Sequence, residues 1–558
     1  MGLRKSHISR FLRGTGFFIQ NIEKQKCKKR SGCYHLNMFW ADRVVDEISK
    51  KAKPGQKLVV RDEKTASGRV HIGSMRGVAI HGTVDTVLRE RGFAPEFHYE
   101  INDFDPMDGI PAELPAAEWE QYLGLPLNKV PSPDGRAKNF AEYYASEFEG
   151  VIKEAGFEPK YYRASELYAS GKMNDAIRIA LQNADDIRRI YAQVSGSKKE
   201  DTWLPISMVC EKCGKIGTTQ AHGFDGEKVY YKCIAGAGGA KGCNHEDSAS
   251  PFNGGGKLPW KVEWPAKWKV LDVGVEGAGK DHSTKGGARD VAEHISREVF
   301  KHEPPHNIPY EFFLDSEGRK MSASKGRGVS SREIANNFPP IIFRLALIGK
   351  DPNQQFVIDP VGETLPTLYD WHDKLAEKFW QKSGDEDARL FEIVYDNHPP
   401  MQRFLPRFST VAFVLQMEHL KLEEELGSIK GDALTDEEKM DLKERAHYAG
   451  IWLRHYAPDK YKFTLAKDAV PEAARLLTDE QKQALLKVRA FIKDSPVLDG
   501  PKLHETLHNI KKETGIPANA FFAAIYLAFL GRDSGPQAGW FLSTLDREFL
   551  LGRLAEVT

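Results

Sequence analysis

Residues 57–65 (KLVVRDEKT) carry three consecutive apolar side chains, Leu58, Val59 and Val60, and run into the turn pair Ser67-Gly68. A short apolar run closed by such punctuation predicts a strand. From about 71 to 91, apolar side chains recur at Ile72, Met75, Val78 or Ala79, and Val87 or Leu88, the period of a helix with one buried face. A second strand is predicted over 96–101, helices over 140–156 and 172–193, and a further strand over 271–276 (LDVGVE) that opens into a glycine-rich stretch. Past about Gly362 the glycines thin out and helical periodicity dominates. Thr435-x-x-Glu438 and Thr478-x-x-Gln481 read as capping boxes that open helices. The last helices are predicted over 520–530 and 543–554. Strands alternating with helices, then helices alone, predict an α/β unit ahead of an all-α one.

Two segments of this pattern carry chemistry. In the first, strand, glycine turn and helix follow one another, the layout in which backbone N–H groups and a helix dipole meet a phosphate. Within 67–74 (SGRVHIGS), His71 can donate a hydrogen bond to a phosphate oxygen as charge builds in a transition state. Gly73 has no side chain to hold an adenine or ribose off the backbone. Taken alone, the segment is equally compatible with an ordinary turn and a partly buried histidine. In the second, Gly279, Asp281 and His282 follow a predicted strand, where open α/β sheets bind ligands. Residues 318–332 then carry Arg319, Lys320, Lys325, Arg327 and Arg332 with no acidic residue among them. Such a loop can close over a triphosphate and neutralise a departing pyrophosphate; a solvated basic face is the alternative.

In this order, SGRVHIG (67–73) and KMSASKG (320–326) resemble the HIGH and KMSKS signatures of class I aminoacyl-tRNA synthetases. The resemblance implies ATP-binding roles for Ser67, Gly68, His71, Gly73, Ser74, Gly279, Asp281, His282, Lys320, Met321, Ser322 and Ser324. His71, Lys320 and Lys325 are the expected catalytic groups. The chain departs from the pattern at Ser74, where a second His is usual, and at Ala323, where a second Lys is usual. Serine can still hydrogen-bond, and Lys325 can supply the cation. The segments FWAD (39–42), EINDFDP (100–106), WKVEWPAKW (260–268) and GKDH (279–282) further resemble the class I lysyl-tRNA synthetases, from about Phe39 to the C-terminus.

A lysine pocket must pair the ε-ammonium with a carboxylate, because an unpaired buried charge is costly. Asp103 and Asp105, after the second predicted strand, are candidates, and Asp62 and Glu63 compete with them. Thr65 and His282 are further candidate contacts. Trp260, Trp264 and Trp268 recur every four residues, but Pro265 argues against a helix there. Trp260 is a candidate wall for the lysine methylenes, and ordinary core packing is the alternative for tryptophans this dense. Which carboxylate holds the ammonium stays open at this point.

Six cysteines in 558 residues make no disulfide framework. Cys210-x2-Cys213, followed by Gly214, resembles a zinc knuckle, with Cys233 and Cys243 as the other two ligands and His222 or His245 as possible replacements. The 79 basic and 79 acidic side chains balance, so a tRNA would be met by local patches rather than by overall charge. No apolar run approaches twenty residues, which excludes a conventional membrane span. Residues 1–38 stand apart; their first 37 carry nine Lys or Arg against one Glu, read here as a basic extension outside the fold, Met38 falling where the resemblance begins.

The resemblance implies a Rossmann-type class I catalytic domain with a zinc-binding insertion, then an all-α anticodon-binding domain. Its halves are expected over 39–195 and 259–361, with the insertion over 196–258 and the helical domain over 362–558. Trp540, Phe541 and Arg532 are candidate anticodon contacts, with helix-junction packing as the alternative. The implied activity is cytoplasmic ligation of L-lysine to tRNA(Lys), using ATP with Mg2+ and a structural Zn2+; oligomeric state is open. A synthetase for arginine or glutamate and a non-catalytic paralogue binding tRNA or an amino acid are the rivals. A small adenylyltransferase would not account for two hundred C-terminal residues of helical pattern.

Overall fold

The computed structural model describes residues 38–314 and 330–558. Its central feature is a parallel sheet in which β1 (Lys57–Thr65) lies between β2 (Ala94–Asn102) and the short strand Val273–Val275, with β3 (Lys160–Arg163) beyond β2. The apolar run Leu58–Val60 is buried, while the polar end of β1 opens toward solvent. That gradient puts the polar half of β1 at the carboxyl edge of the sheet, where parallel α/β sheets bind their ligands.

The chain leaves β1 through a 3-10 turn, Ile72–Ser74, before the helix Met75–Glu90 begins. The predicted helix therefore starts four residues late, because His71 caps the tight turn instead of entering a helix. The expected helix over 172–193 is two helices, Asn174–Gln182 and Ala184–Ser195, broken at Asn183. The helix Phe140–Glu154 matches its prediction closely and is capped by Asn139, whose side chain accepts from the Glu142 N–H at 2.9 Å.

The tryptophan segment corrects the sequence reading. Trp260–Leu271 is a helix with Pro265 inside it, and the strand that follows shrinks to Val273–Val275. An interior proline costs a helix about 3 kcal/mol. Trp264 and Trp268 are nearly or fully buried, and each removes on the order of 200 Å² from water, about 5 kcal/mol at roughly 25 cal/mol per Å². Two tryptophans on one face outweigh one lost hydrogen bond.

Residues 196–258 hold small antiparallel ladders, among them the three-stranded sheet of Thr219–Phe224, Val229–Cys233 and Glu246–Ala249. The helices from Thr364 onward include Asp436–His455 and Asp479–Asp494, both opened by complete capping boxes at Thr435/Glu438 and Thr478/Gln481. The apolar core of the nucleotide-fold half continues through these helices as far as Ala457. A separate cluster, from Met417 and Ala474 to Val557, holds the last helices together. The expected last helix over 543–554 starts four residues late, as Arg547–Val557, and a short helix, Ala538–Ser543, precedes it. Among the described residues no helix is long and apolar enough to cross a membrane.

Candidate active site

A cleft of about 590 Å³ lies at the carboxyl edge of the sheet. Ser67, His71, Gly73 and Ser74 line one side of it; Gly279, Asp281, His282 and Trp260 line the other, with Thr65 between. His71 turns back on its own loop, its Nδ1 accepting the Gly73 N–H at 3.0 Å. In the neutral ring the proton is therefore on Nε2, which makes that nitrogen a donor. A Cβ on Gly73 would lie 2.6 Å from the imidazole, so glycine is what lets ring and backbone meet.

Lys320, Met321, Ser322, Ser324 and Lys325 lie outside the described residues. The residues that flank their segment are at the cleft. Phe313 lines it before the segment, and Ser330 forms an antiparallel bridge with His71 after it. Ser331 then fastens the returning chain, its N–H and its hydroxyl both donating to the Val70 carbonyl at 2.9 Å.

The two walls are joined by His81, a residue that the sequence did not single out. It is fully buried in the helix Met75–Glu90, bonded through Nδ1 to the Gly77 carbonyl and through Nε2 to the Gly277 N–H, each at 2.7 Å. Burial opposes its charged form, but the neighbouring Asp62 outweighs that and raises its pKa.

Under the opposite wall runs a chain of buried charges. The guanidinium of Arg61 donates to Glu276 at 2.6 Å, to Glu100 at 2.7 Å and to Glu63. Lys267 meets Glu100, and Glu263 at 3.1 Å; Lys257 meets Glu263 at 2.6 Å and Asp105 at 2.9 Å. The indoles of Trp264 and Trp268 both donate to Glu276, at 3.0 and 2.6 Å. Burial pushes against ionisation of Glu100, yet Lys267 and Arg61 hold its carboxyl down to about 2. Burial wins at Glu63, whose pKa is raised despite Arg61 and Lys267. Arg61 is driven well above its ordinary value, the surrounding carboxylates, with Glu276 foremost, overcoming its burial. Glu63 and Asp105 are among the candidates from sequence, but Arg61, Glu100, Lys257, Glu263, Lys267 and Glu276 were missed, because charges at such positions mean little until register is known. The parallel pairing sets Glu63 beside Glu100, an arrangement that requires cations between them.

Of the expected lysine contacts, Asp103 is not at the cleft. It is buried, and its carboxylate accepts the N–H and hydroxyl of Ser165 at 2.8 and 2.6 Å. Its role is to satisfy the start of the helix Ala164–Ala169, so it is withdrawn as the ammonium partner. Asp105 stands behind Thr65, whose hydroxyl donates to it at 2.8 Å, and pairs with Lys257, which it shares with Glu263. Trp260 stacks on Trp264 with centroids 5.3 Å apart and donates to Glu63 at 3.1 Å. The ring of His282 stands edge-on to Trp260 at 5.0 Å.

Away from the cleft, the sulfurs of Cys210, Cys213, Cys233 and Cys243 all lie within 4.8 Å of one another. The pairs Cys210–Cys243 and Cys213–Cys233 are 3.6 and 3.7 Å apart, close to the roughly 3.8 Å edge of a tetrahedron with about 2.3 Å zinc–sulfur bonds. Gly214, at φ +72°, makes the sharp return that donates its N–H to the Cys210 carbonyl at 2.8 Å. Cys233 ends a strand and Cys243 follows the loop, so the irregular spacing closes in space without His222 or His245.

A second cavity of about 550 Å³ lies among the C-terminal helices, walled by Arg407, Lys460, Tyr461, Phe463, Gln537 and Trp540 among others. Phe541 is fully buried in the core, and Arg532 donates to the backbone carbonyls of Asp459 and Lys462. Phe541 is therefore core packing, while Arg532, half-buried, ties the loop that lines the cavity to Asp459 and Lys462.

Comparison with known proteins agrees with this geometry. Residues 38–399 match the family described as tRNA synthetases class I (K), and residues 452–558 match the anticodon binding domain family. The chain is similar to a lysine–tRNA ligase of Methanosarcina barkeri, 33% identical over 542 residues covering 93% of this chain and 98% of that one. It is also similar to lysine–tRNA ligase 1 of Methanosarcina acetivorans (32%, covering 93% and 98%) and to a lysine–tRNA ligase of Archaeoglobus fulgidus (31%, covering 93% and 99%).

Proposed function

Because the chain belongs to the class I (K) tRNA synthetase family, we propose that the two walls of its cleft divide the work of lysine activation. The reaction is that of a lysine–tRNA ligase. The carboxylate of lysine attacks the α-phosphate of ATP, giving lysyl-adenylate and pyrophosphate, and the lysyl group passes to the terminal adenosine of tRNA(Lys). No protein nucleophile is required, so the protein contributes positioning and charge stabilisation.

ATP lies along the wall of Ser67, Gly68, His71, Gly73 and Ser74, with Gly279, Asp281 and His282 opposite. His71 donates from Nε2 to the phosphate as charge accumulates on it. The bond from the Gly73 N–H to Nδ1 supports this role, since it fixes the tautomer and the ring plane. Lys320 and Lys325 meet the departing pyrophosphate, and Met321, Ser322 and Ser324 form the rest of that loop. The return of the chain at Ser330, bridged to His71, supports the assignment. Magnesium carried on ATP lowers the charge of the phosphates.

Lysine lies on the tryptophan wall, its methylenes against Trp260 and its polar groups near Thr65 and His282. The observation that carries this reading is the pairing of a flat apolar ring, Trp260, with the carboxylate of Glu63 in one cleft. Zinc held by Cys210, Cys213, Cys233 and Cys243 would supply a structural cross-link in 196–258. In the C-terminal half, the aromatic and cationic cavity at Tyr461 and Trp540 receives an anticodon base, a chemistry that stacking on aromatic rings supplies. The halves at 39–195 and 259–361, the insertion between them and the helical region from 362 are the working divisions, and the protein acts in the cytoplasm.

The test is amino-acid-dependent ATP–pyrophosphate exchange across the twenty amino acids, with and without tRNA. Exchange is expected with lysine. His71→Ala is expected to lower its rate by about 10²–10³ while KM for lysine moves little; an unchanged rate would remove His71 from the chemistry.

A further inference from the structure

The buried charges beneath the tryptophan wall do not balance. Arg61, Lys257 and Lys267 face Glu63, Glu100, Glu263, Glu276 and Asp105, three cations against five carboxylates; the further buried cation there, Arg289 over the Trp264 and Trp268 rings, is matched by Glu293. The imbalance has a location. The six innermost members, at most 5% exposed, alternate as Glu276–Arg61–Glu100–Lys267–Glu263–Lys257 and are neutral as a set. The two remaining carboxylates, Glu63 at 18% and Asp105 at 29%, are the members with solvent contact. Glu63 lines the cleft, and Asp105 is separated from it by Thr65 alone.

Charges this deep are normally matched one for one, since each unpaired ion carries a desolvation penalty of several kcal/mol. Glu63, beside Arg61 and Lys267, and Asp105, beside Lys257, share cations that the inner carboxylates already use, so the set carries a net negative charge that a further cation would balance. We propose that Glu63 is the residue that selects lysine, taking its ε-ammonium as the next cation of the chain, with Asp105 reinforcing the field through Thr65. The proposal rests on the reading of the cleft as the site of lysine activation.

The geometry separates Glu63 from its neighbour. Successive side chains of a strand point to opposite faces. Asp62 therefore faces the helix Met75–Glu90, where its carboxylate is 3.7 Å from His81, on the nucleotide wall. Glu63 shares its face with Arg61 and Thr65 and reaches the edge of Trp260. Of its two oxygens, Oε2 is taken by Arg61 and lies 3.8 Å from the Lys267 ammonium, while Oε1 accepts the indole N–H of Trp260 at 3.1 Å. A carboxylate oxygen has two acceptor directions, so Oε1 can take an ammonium proton while keeping the indole. That places the charge contact at the end of the ring against which the lysine methylenes lie. A carboxylate anchored on one oxygen by a fully buried guanidinium and on the other by an indole cannot swing away, which is how a site discriminates by charge rather than by adaptation. Arg61 is a positioning residue in this account.

The measurement is lysine-dependent ATP–pyrophosphate exchange with the full chain, comparing wild type, Glu63→Gln, Asp105→Asn and Asp62→Asn. L-2-aminoheptanoate, which carries a methyl in place of the ammonium, serves as the uncharged competitor. For Glu63→Gln, KM for lysine is expected to rise roughly 30-fold or more, the usual consequence of removing one partner of a buried charge pair, with KM for ATP within about twofold. The preference for lysine over 2-aminoheptanoate is expected to fall by the same factor, which a general loss of folded protein would not produce. Asp105→Asn is expected to shift both quantities in the same direction by less. An unchanged preference in Glu63→Gln overturns the proposal, and a collapse of preference in Asp62→Asn instead moves the ammonium to the other face of the strand. Absence of lysine-dependent exchange in the wild type would be a failure of the activation reading itself, a distinct result.

Discussion

The cleft at the end of β1 and the cavity among the C-terminal helices are nearly the same size, about 590 and 550 Å³, yet their walls have opposite chemistry. Beneath the cleft lies a chain of ions that are out of contact with water over most of its length. The C-terminal cavity is walled by rings and by cations held at the surface, such as Lys460 with Glu363 and Arg407 with Asp370. Surface pairs of that kind contribute about 0–1 kcal/mol, whereas buried ones are costly to leave incomplete. The difference suits the ligands proposed for the two. A single ammonium is recognised by fixed charge, which needs a rigid, desolvated frame; a nucleobase is recognised by its faces and edges, which rings at a surface supply without one.

The comparison breaks most visibly if the charge chain is cut at its centre. Arg61→Met removes the cation shared by Glu63, Glu100 and Glu276 and is expected to cost about 3–5 kcal/mol of stability, read as a lower urea midpoint. Wild-type stability in that variant would mean that the carboxylates find water or protons at little cost, and the contrast between the two cavities would lapse.

A smaller effect is expected at the other cavity. Trp540 is half-buried along its wall, and a Cβ on Gly500 would come within 3.0 Å of the indole, so the ring is held from behind. Trp540→Ala is expected to raise KM for tRNA about tenfold, the low end of what one base–aromatic stack contributes, without a matching rise in KM for lysine. A rise in the lysine KM as large as that for tRNA would show that the cavities are not independent.

Much of this arrangement is legible along the chain. The apolar run of β1, both capping boxes and the four cysteines are local patterns, and local patterns survive translation into structure. Pro265 misled because a one-residue rule was set against burial of Trp264 and Trp268, a tertiary gain that a window of sequence does not contain. Asp103 misled in another way. Its place after β2 is right for a ligand, but whether a carboxylate meets solvent or the backbone of Ser165 depends on a helix sixty residues away. The charge chain was the least legible part. It draws on β1, β2, the 196–258 insertion, the tryptophan helix and Glu276 after the strand Val273–Val275, and its meaning lies in a balance that exists only when the five meet.

The finest distinction is expected in acid. Burial raises the pKa of Glu63 against the pull of Arg61 and Lys267, and Glu100 and Glu276 add to the rise. A carboxylate with a raised folded-state pKa loses its charge earlier on acidification than an ordinary glutamate. The same shift means that its ionisation costs stability above that pKa and that protonation returns the cost as pH falls through it, so acid weakens lysine binding at this residue before it weakens the fold there. KM for lysine is accordingly expected to rise as pH is lowered from neutral, sooner than an ordinary glutamate would make it, with KM for tRNA following a different course because stacking on Tyr461 and Trp540 does not rest on that carboxylate. In Glu63→Gln the acid rise should be absent, since the amide does not titrate in this range. If the rise persists there unchanged, the titrating group is another one, and the charge contrast between the two cavities would need a different residue at its open end.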